Sequence, residues 1–313
     1  MSRKVIIDCD PGIDDALAVA LALWNPKLDV VAITACAGTI DAEQANLNLW
    51  AILERIDPRI YPRIGAAVDP ELGAAAFNGV LLHGEHGLGS LSCEPISRQH
   101  SVSADKLIIE QLRATPNEIT LVCLGPLTNV AKAIGRDPGV VELIDRIVIA
   151  GGTLRSQGDV TPCAEFNFHF DPAAAQHVIH SPTTKTVIPL EVSRHLALGW
   201  ELVERLPPRY SPCGALLHEI LPHYLRSTRQ YLGHETASFQ AVSPILALIE
   251  PSIMEYEERA ANVETAGELT RGALIFDQRD PQQWRNNLEV ARSLDLPAAL
   301  AIFWECLAQL PSD

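Results

Sequence analysis

The chain has 313 residues, 47% apolar and 20% charged, enough to bury a large core, which excludes a disordered chain, a coiled coil and a disulfide-stapled miniprotein. Its 24 lysines and arginines stand against 39 aspartates and glutamates, a net charge of −15 that repels phosphate backbones and anionic lipid, so neither nucleic acid nor a membrane surface is an expected partner. The longest apolar stretch, Ala16 to Trp24, is far short of the roughly 18 residues of a membrane span, and the opening Met1-Ser2-Arg3-Lys4 has no signal-peptide pattern, so a cytoplasmic protein is expected.

Seven cysteines (9, 36, 93, 123, 163, 213 and 306) lie far apart with no C-x-x-C pair, which writes neither a zinc knuckle nor a complete disulfide framework. Most read as small buried residues. Cys9, between Asp8 and Asp10, is a poor nucleophile because both neighbours repel a thiolate.

Lys4 to Cys9 is an apolar run of strand length, Asp14 to Trp24 has helical spacing, and Leu28 to Ala37 is rich in Val, Ile and Thr, which together make a βαβ unit. The alternation continues with a helix at Ala42 to Ile56, a strand at Ile60 to Ala66, a helix at Ala104 to Arg113 and a strand at Ile119 to Leu124. A helix then opens at Pro126, a strand spans Arg146 to Ala150, a helix runs from Asp171 to about His180, and a strand spans Lys185 to Leu190. This order predicts an α/β fold, a mostly parallel central sheet with helices on both faces, and a site beyond the carboxyl ends of the strands.

From about 198 to 250 the segments are helical, broken by Pro207-Pro208, Pro212 and Gly233, with no clear strand, and read as a helical insertion over one edge of the sheet. Leu269 to Phe276 and Leu288 to Arg292 follow as strands, and Pro297 to Leu310 closes as an amphipathic helix. No repeat or linker divides the chain, so residues 1–313 are expected to form one domain.

The segment Asp8-Cys9-Asp10-Pro11-Gly12-Ile13-Asp14-Asp15 puts four carboxylates in eight residues at the first strand-to-helix turn. Asp14 and Asp15 suit the positive end of the helix that follows, and Pro11-Gly12 suits the turn, which accounts for two of the four charges. Alternation along a strand would aim Asp8 and Asp10 at one volume, and a hard cation such as Ca²⁺, which takes six to eight oxygens, would relieve the repulsion. D-x-D at a strand end also resembles the haloacid-dehalogenase phosphatases, but that family wants Thr or Val two residues after the second Asp, and Gly12 stands there.

The whole string resembles the D-x-D-P-G-x-D-D-A signature of the nucleoside hydrolases, the inosine–uridine-preferring family. Three further matches follow in the family's order: His83-Gly84-Glu85-His86-Gly87, then Gly125-Pro126-Leu127-Thr128-Asn129, then Ala164-Glu165-Phe166-Asn167 with Asp171-Pro172. The resemblance implies a Rossmann-like core and hydrolysis of the N-glycosidic bond of ribonucleosides to base and ribose with Ca²⁺ as cofactor. It further implies a homo-oligomer that takes a nucleoside or similar ribosyl substrate. By similarity Asp10, Asp15 and the carbonyl of Leu124 would hold the calcium, Asp10 would be general base for water, and His83 would be a second catalytic residue. Asp14, Thr39, Asp159, Glu165 and Asn167 would bind substrate, the sugar's hydroxyls meeting carboxylate and amide partners.

Simpler readings stand beside these. Asn129 can cap the helix it adjoins, His195 has no spacing argument, and Tyr224 and Tyr231, seven apart, can share a helix face by packing alone.

The chain departs from the family's pattern at three places. Thr39 stands for a usual Asn, Asp159 for another, and no His-Asp-Pro motif is found near Ser243. Alignment on Pro244 puts Val242 and Ser243 at the His-Asp positions, whereas ungapped counting from Pro251 puts Gln240 and Ala241 there. Either way a calcium carboxylate is lost, for which Asp8 or Glu235 would have to compensate, and so is a His near the leaving base. An alternative function follows: a nucleoside- or ribose-binding homologue with impaired catalysis.

Overall fold

A computed structural model describes residues 2–67, 70, 80–91, 102–155 and 158–312. β1 (Arg3–Cys9) leads to α1 (Ile13–Trp24), β2 (Leu28–Ala35) to α2 (Ala42–Ile56), and β3 (Arg63–Ala66) is followed by the short α3 (Val80–His83). β4 (Val102–Ser103) leads to α4 (Ala104–Ala114), β5 (Ile119–Cys123) to α5 (Thr128–Arg136), and β6 (Ile144–Ala150) to α6 (Phe166–Phe170) and α7 (Pro172–His180). β7 (Lys185–Ile188) precedes α8 (Leu190–Ser193); then come β8 (Ala197–Leu198), α9 (Glu201–Glu204), α10 (Pro212–Ser227), a π-helical turn at Thr228–Leu232, β9 (Ala237–Ser238) and α11 (Val242–Ile249). β10 (Met254–Arg259), β11 (Ala261–Val263), β12 (Leu274–Phe276), β13 (Leu288–Leu294) and α12 (Leu296–Ala308) complete the described elements.

Nine of these strands form one sheet in the order β10-β13-β7-β6-β5-β1-β2-β3-β4, in which every pairing is parallel except that of β10 with β13. The expected α/β architecture is therefore present. The chain lays strands outward from β1 to β4, then returns to place β5 on the other side of β1. The gap between the ends of β1 and β5 is thus the switch point where such sheets open a crevice.

Alternation along β1 sends Val5, Ile7 and Cys9 into one core and Ile6 into the other. The first core holds α1, which is buried on nearly every side because α10, α11 and α12 cover the face turned away from the sheet. The helical stretch after residue 198 thus packs on α1 and shares its core. It also contains a small hairpin, β8 with β9, which the sequence does not announce because two-residue strands are too short to show a period.

Between residues 254 and 276 one strand escapes sequence reading and another starts late, for different reasons. β10, Met-Glu-Tyr-Glu-Glu-Arg, is an edge strand whose outward residues are charged, so it lacks an apolar run. β12 begins at Leu274, five residues later than expected, because Gly267 and Thr270–Gly272 form turns closed by Glu264. The helix expected to open at Pro126 starts at Thr128, since Gly125 to Leu127 make the turn that passes under the pocket. Among the described cysteines, five are buried and Cys163 is half-buried, all with free thiols; Cys93 lies outside the described residues.

Candidate active site

The loops after β1, β2, β5 and β6 meet at the switch point around a cavity of about 120 Å³ lined by Asp10, Asp14, Asp15, Asp159 and Glu165. A larger cleft of about 680 Å³ lies between α4, α5 and α7, away from the strand ends, and one of its walls is already closed by the ion pair of Arg136 with buried Asp105.

β1 ends at Cys9, so the chain has left the strand when it reaches Asp10. This overturns the expectation that Asp8 and Asp10 aim at one volume. Asp8, the last inward position on the Ile6 side, is buried against α5, where its Oδ1 accepts from the Thr34 hydroxyl and from Asn129 Nδ2 at 2.8 Å. Asn129 Nδ2 also donates to the Ala35 carbonyl, so it is a clamp between β1, β2 and α5 and not a helix cap. Burial pushes the Asp8 carboxyl up to about 7, against the two hydrogen bonds.

Asp10 turns into the cavity. Its Oδ2 accepts from the Thr39 N–H at 2.8 Å and from the Thr39 hydroxyl at 2.9 Å. A Cβ at Gly38 or Gly125 would collide with this carboxylate, so both glycines are needed to seat it. Burial raises its pKa to about 7; the Thr39 bonds lower it and the charge of Asp14 adds to the rise. Thr39 therefore acts on Asp10, where the resemblance implied a substrate contact.

Asp15 Oδ2 accepts from the Gly12 N–H at 3.1 Å, the return half of a capping box at the start of α1. Its Oδ1 is buried with no hydrogen-bond partner among the described residues. Burial, then Asp14 and Asp10, hold this carboxyl well above the usual carboxylate range. Leu124 follows β5 and lines the pocket; its carbonyl accepts from Asn167 Nδ2 at 2.8 Å and retains a second lone pair.

Glu165 caps α6. Its carboxylate accepts from the N–H groups of Gly152 at 2.9 Å, Asn167 at 2.9 Å and Phe168 at 3.3 Å. Burial, helped by Asp159, nevertheless raises it to about 8. Asn167 Nδ2 is committed to the Leu124 and Ala150 carbonyls, so only its Oδ1 is left for a ligand. Asp159 has an exposed edge at the rim; atoms crowded round its carboxyl raise its pKa while Arg194 opposes the rise.

His83 ends α3 and is buried, with its ring 5.1 Å from that of Tyr224. Its Nδ1 accepts from the Ile13 N–H at 3.1 Å, which places the proton of the neutral ring on Nε2. Burial lowers its pKa, with Asp14 opposing. Asn48, which sequence reading passes over, donates from Nδ2 to the Pro11 carbonyl at 3.0 Å and the His86 carbonyl at 2.7 Å and so ties both pocket loops to α2. Its signal was available: a fully buried Asn on the apolar stripe of Ala45, Leu49 and Ile52.

Gln240 and Ala241 line the cavity, with the Ala241 N–H 3.5 Å from Asp14 Oδ2, whereas Val242 and Ser243 are buried in α11. Of the two pairs, the one reached by counting from Pro251 lines the pocket and the one reached from Pro244 packs in the helix. Neither suggested substitute carboxylate reaches the pocket: Asp8 faces α5, and Glu235 is exposed and paired with Arg229. Tyr224 lines the pocket while Tyr231 is half-exposed on the π-helical turn, and His195 is exposed away from it.

The donor set suits a hard cation. Asp15 Oδ1 is an orphaned buried oxygen, Asp10 gives only Oδ2 to the two Thr39 bonds, and Leu124 adds a carbonyl. Among the described residues no group of three or more His, Cys, Asp or Glu side chains is arranged as a metal cage, in keeping with Ala241 supplying only a methyl.

Comparison with known proteins bears on the whole chain. The sequence profile described as inosine-uridine preferring nucleoside hydrolase matches residues 5–301. The pyrimidine-specific ribonucleoside hydrolase RihA of Citrobacter koseri is 34% identical over 279 residues, covering 88% of this chain and 89% of its own, and RihA of Escherichia coli O9:H4 matches equally. Among solved structures, the plant nucleoside hydrolase PpNRh1 has a TM-score of 0.88 at 28% identity, over 98% of this chain and 99% of its own. An inosine-guanosine nucleoside hydrolase has a TM-score of 0.86 at 26% identity, over 99% of this chain and 98% of its own.

Proposed function

The chain belongs to the inosine–uridine preferring nucleoside hydrolase family, hydrolases of N-glycosyl bonds, and from that premise we propose that it splits ribonucleosides into base and ribose with Asp10 as base and a calcium ion held by Asp10, Asp15 and the Leu124 carbonyl. The observation that carries this reading is the pairing of a carboxylate steered by Thr39 with an orphaned carboxylate oxygen of Asp15 on the same pocket floor. When bound, the cation supplies positive charge that neutralises the crowded carboxylates and favours ionisation of water.

The residues of the chain divide the remaining work. Asp10, raised toward neutrality by burial, takes the proton of the attacking water as its oxygen bonds to C1′. The sugar becomes oxocarbenium-like as the C1′–N bond breaks, so its hydroxyls must be held while charge develops. Asp14 and Glu165 accept from those hydroxyls, as does Asn167 Oδ1, and Asp159 meets the sugar from the rim. His83 donates an Nε2–H hydrogen bond into the pocket.

The relatives' names divide between pyrimidine-specific and inosine-guanosine enzymes, so the likeness carries ribonucleoside cleavage without a base preference. From the family resemblance we propose a homo-oligomer, which sedimentation of the purified chain tests. Release of ribose from a nucleoside panel in calcium, lost in Asp10→Ala, is the expected result; no ribose from any nucleoside rejects the reading.

One observation favours a second reading, a binding homologue without turnover: Gln240 and Ala241 stand where the family resemblance implies a His and a metal carboxylate. Calorimetry separates the two, because ribose or nucleoside binding that is indifferent to calcium and yields no product belongs to the second.

A further inference from the structure

Breaking the glycosidic bond of a neutral nucleoside releases the base as an anion unless a proton is delivered to it, and such delivery is commonly worth about 10² to 10⁴ in rate. The described side chains lining this pocket offer no donor for that task. His83 accepts the Ile13 N–H on Nδ1, so a second ring proton would face that N–H; the neutral ring gives a hydrogen bond, not a proton. Tyr224 donates its hydroxyl to the Ser238 carbonyl at 3.1 Å, and Thr39 donates its own to Asp10. Gln240 presents an amide, which gives hydrogen bonds and keeps its protons.

The carboxyl oxygens accept backbone N–H bonds, and the calcium of the hydrolase reading, when bound, favours their ionised form over the protonated one that burial alone promotes. Glu165 receives three backbone N–H bonds, Asp15 receives Gly12 and Asp14 receives Ala241. Asp10 is the group that takes the water's proton. No Lys or Arg is among the described residues lining the cavity, so its five carboxylates outnumber the two charges of the proposed calcium ion and leave an excess of negative charge facing a ligand.

Resting on the hydrolase reading, we infer that this site best serves N-ribosides whose glycosidic nitrogen already carries positive charge, N-ribosylpyridinium compounds and N7-alkylated purine ribosides. For these the balance closes without an acid. The water oxygen bonds to C1′ and its proton passes to Asp10, while the electron pair of the C1′–N bond moves onto the ring nitrogen and cancels its charge. A neutral heterocycle departs. The acidic walls attract the cationic substrate and release the neutral product.

The test compares kcat/KM in calcium-containing buffer for N-ribosylnicotinamide, uridine, inosine and 4-nitrophenyl β-ribofuranoside, whose phenolate leaves without a proton. The cationic riboside should exceed both neutral nucleosides by about 10² or more, the lower value of acid assistance. Uridine or inosine cleaved as fast as the cationic riboside overturns the inference and leaves the hydrolase reading standing. No ribose from any of the four, the nitrophenyl riboside included, overturns the hydrolase reading itself and the inference with it.

Discussion

Thr39 holds Asp10 through one oxygen, with its N–H at 2.8 Å and its hydroxyl at 2.9 Å from Oδ2. Both bonds favour the ionised carboxylate and oppose the rise that burial imposes. Thr39→Val removes only the hydroxyl bond, so the base form of Asp10 appears at higher pH. A hydrogen bond to a charged group contributes about 1.5–3 kcal/mol, and 1.36 kcal/mol is one pH unit, so the acidic limb of kcat/KM should move up by about one unit or more. A limb that stays in place disconnects the hydroxyl from the base.

Asp8 and Asp10 are two residues apart and should respond oppositely to amidation. Asn at position 8 still accepts from Thr34 and Asn129, whereas Ala leaves both donors unpaired in a buried site, at about 1–3 kcal/mol each. The folded-state pKa of Asp8 is raised from 3.8 to about 7, so the stability it contributes is full below pH 3.8 and is lost as pH rises through about 7. Asp8→Asn should therefore keep turnover and gain stability relative to wild type between pH 4 and 8, followed as Tm, while Asp10→Asn loses turnover. An inactive Asp8→Asn that is fully folded would return Asp8 to the chemistry.

Glu165 receives three backbone N–H bonds with two oxygens. Glu165→Gln turns an NH₂ group toward one of those donors, so a loss of about 1–3 kcal/mol in denaturant unfolding is expected together with weaker sugar binding. Unchanged stability would mean that the loop from Gly151 to Asn167 is held by other contacts.

Much of the sheet could be read in the sequence because its buried parallel strands are short apolar runs between helices, as in Ile119–Cys123 and Ile144–Ala150. The acidic edge strand β10 was hidden by its charges, and β8 and β9 by their length. In the pocket, the signature residues Asp10, Asp14, Asp15, Glu165 and Asn167 do converge. What sequence cannot supply is where a strand stops: β1 ending at Cys9 lets Asp10 turn into the pocket, whereas one more residue of strand would put it on the side of Asp8, under α5. Likewise the tautomer of His83 depends on an N–H seventy residues earlier, a relation no local spacing carries.

Ala241 lines the same pocket as Asp10, Asp15 and Leu124, so a carboxylate added there enters the chamber proposed to hold calcium. Affinity for Ca²⁺ follows the number of charged ligands, so Ala241→Asp should tighten binding by tenfold or more by calorimetry, and Asp15→Asn should abolish it. The pH dependence has a defined sign. Asp10 is raised to about 7 and Asp15 well above the usual carboxylate range, so below pH 6 a cation must displace protons to bind, whereas above pH 8 it meets an ionised Asp10. The calcium-induced rise in Tm should therefore be larger at pH 8 than at pH 5.5, and larger still in Ala241→Asp. A rise that is equal at both pH values, or survives Asp15→Asn, places the calcium elsewhere and removes these carboxylates from the metal-binding role.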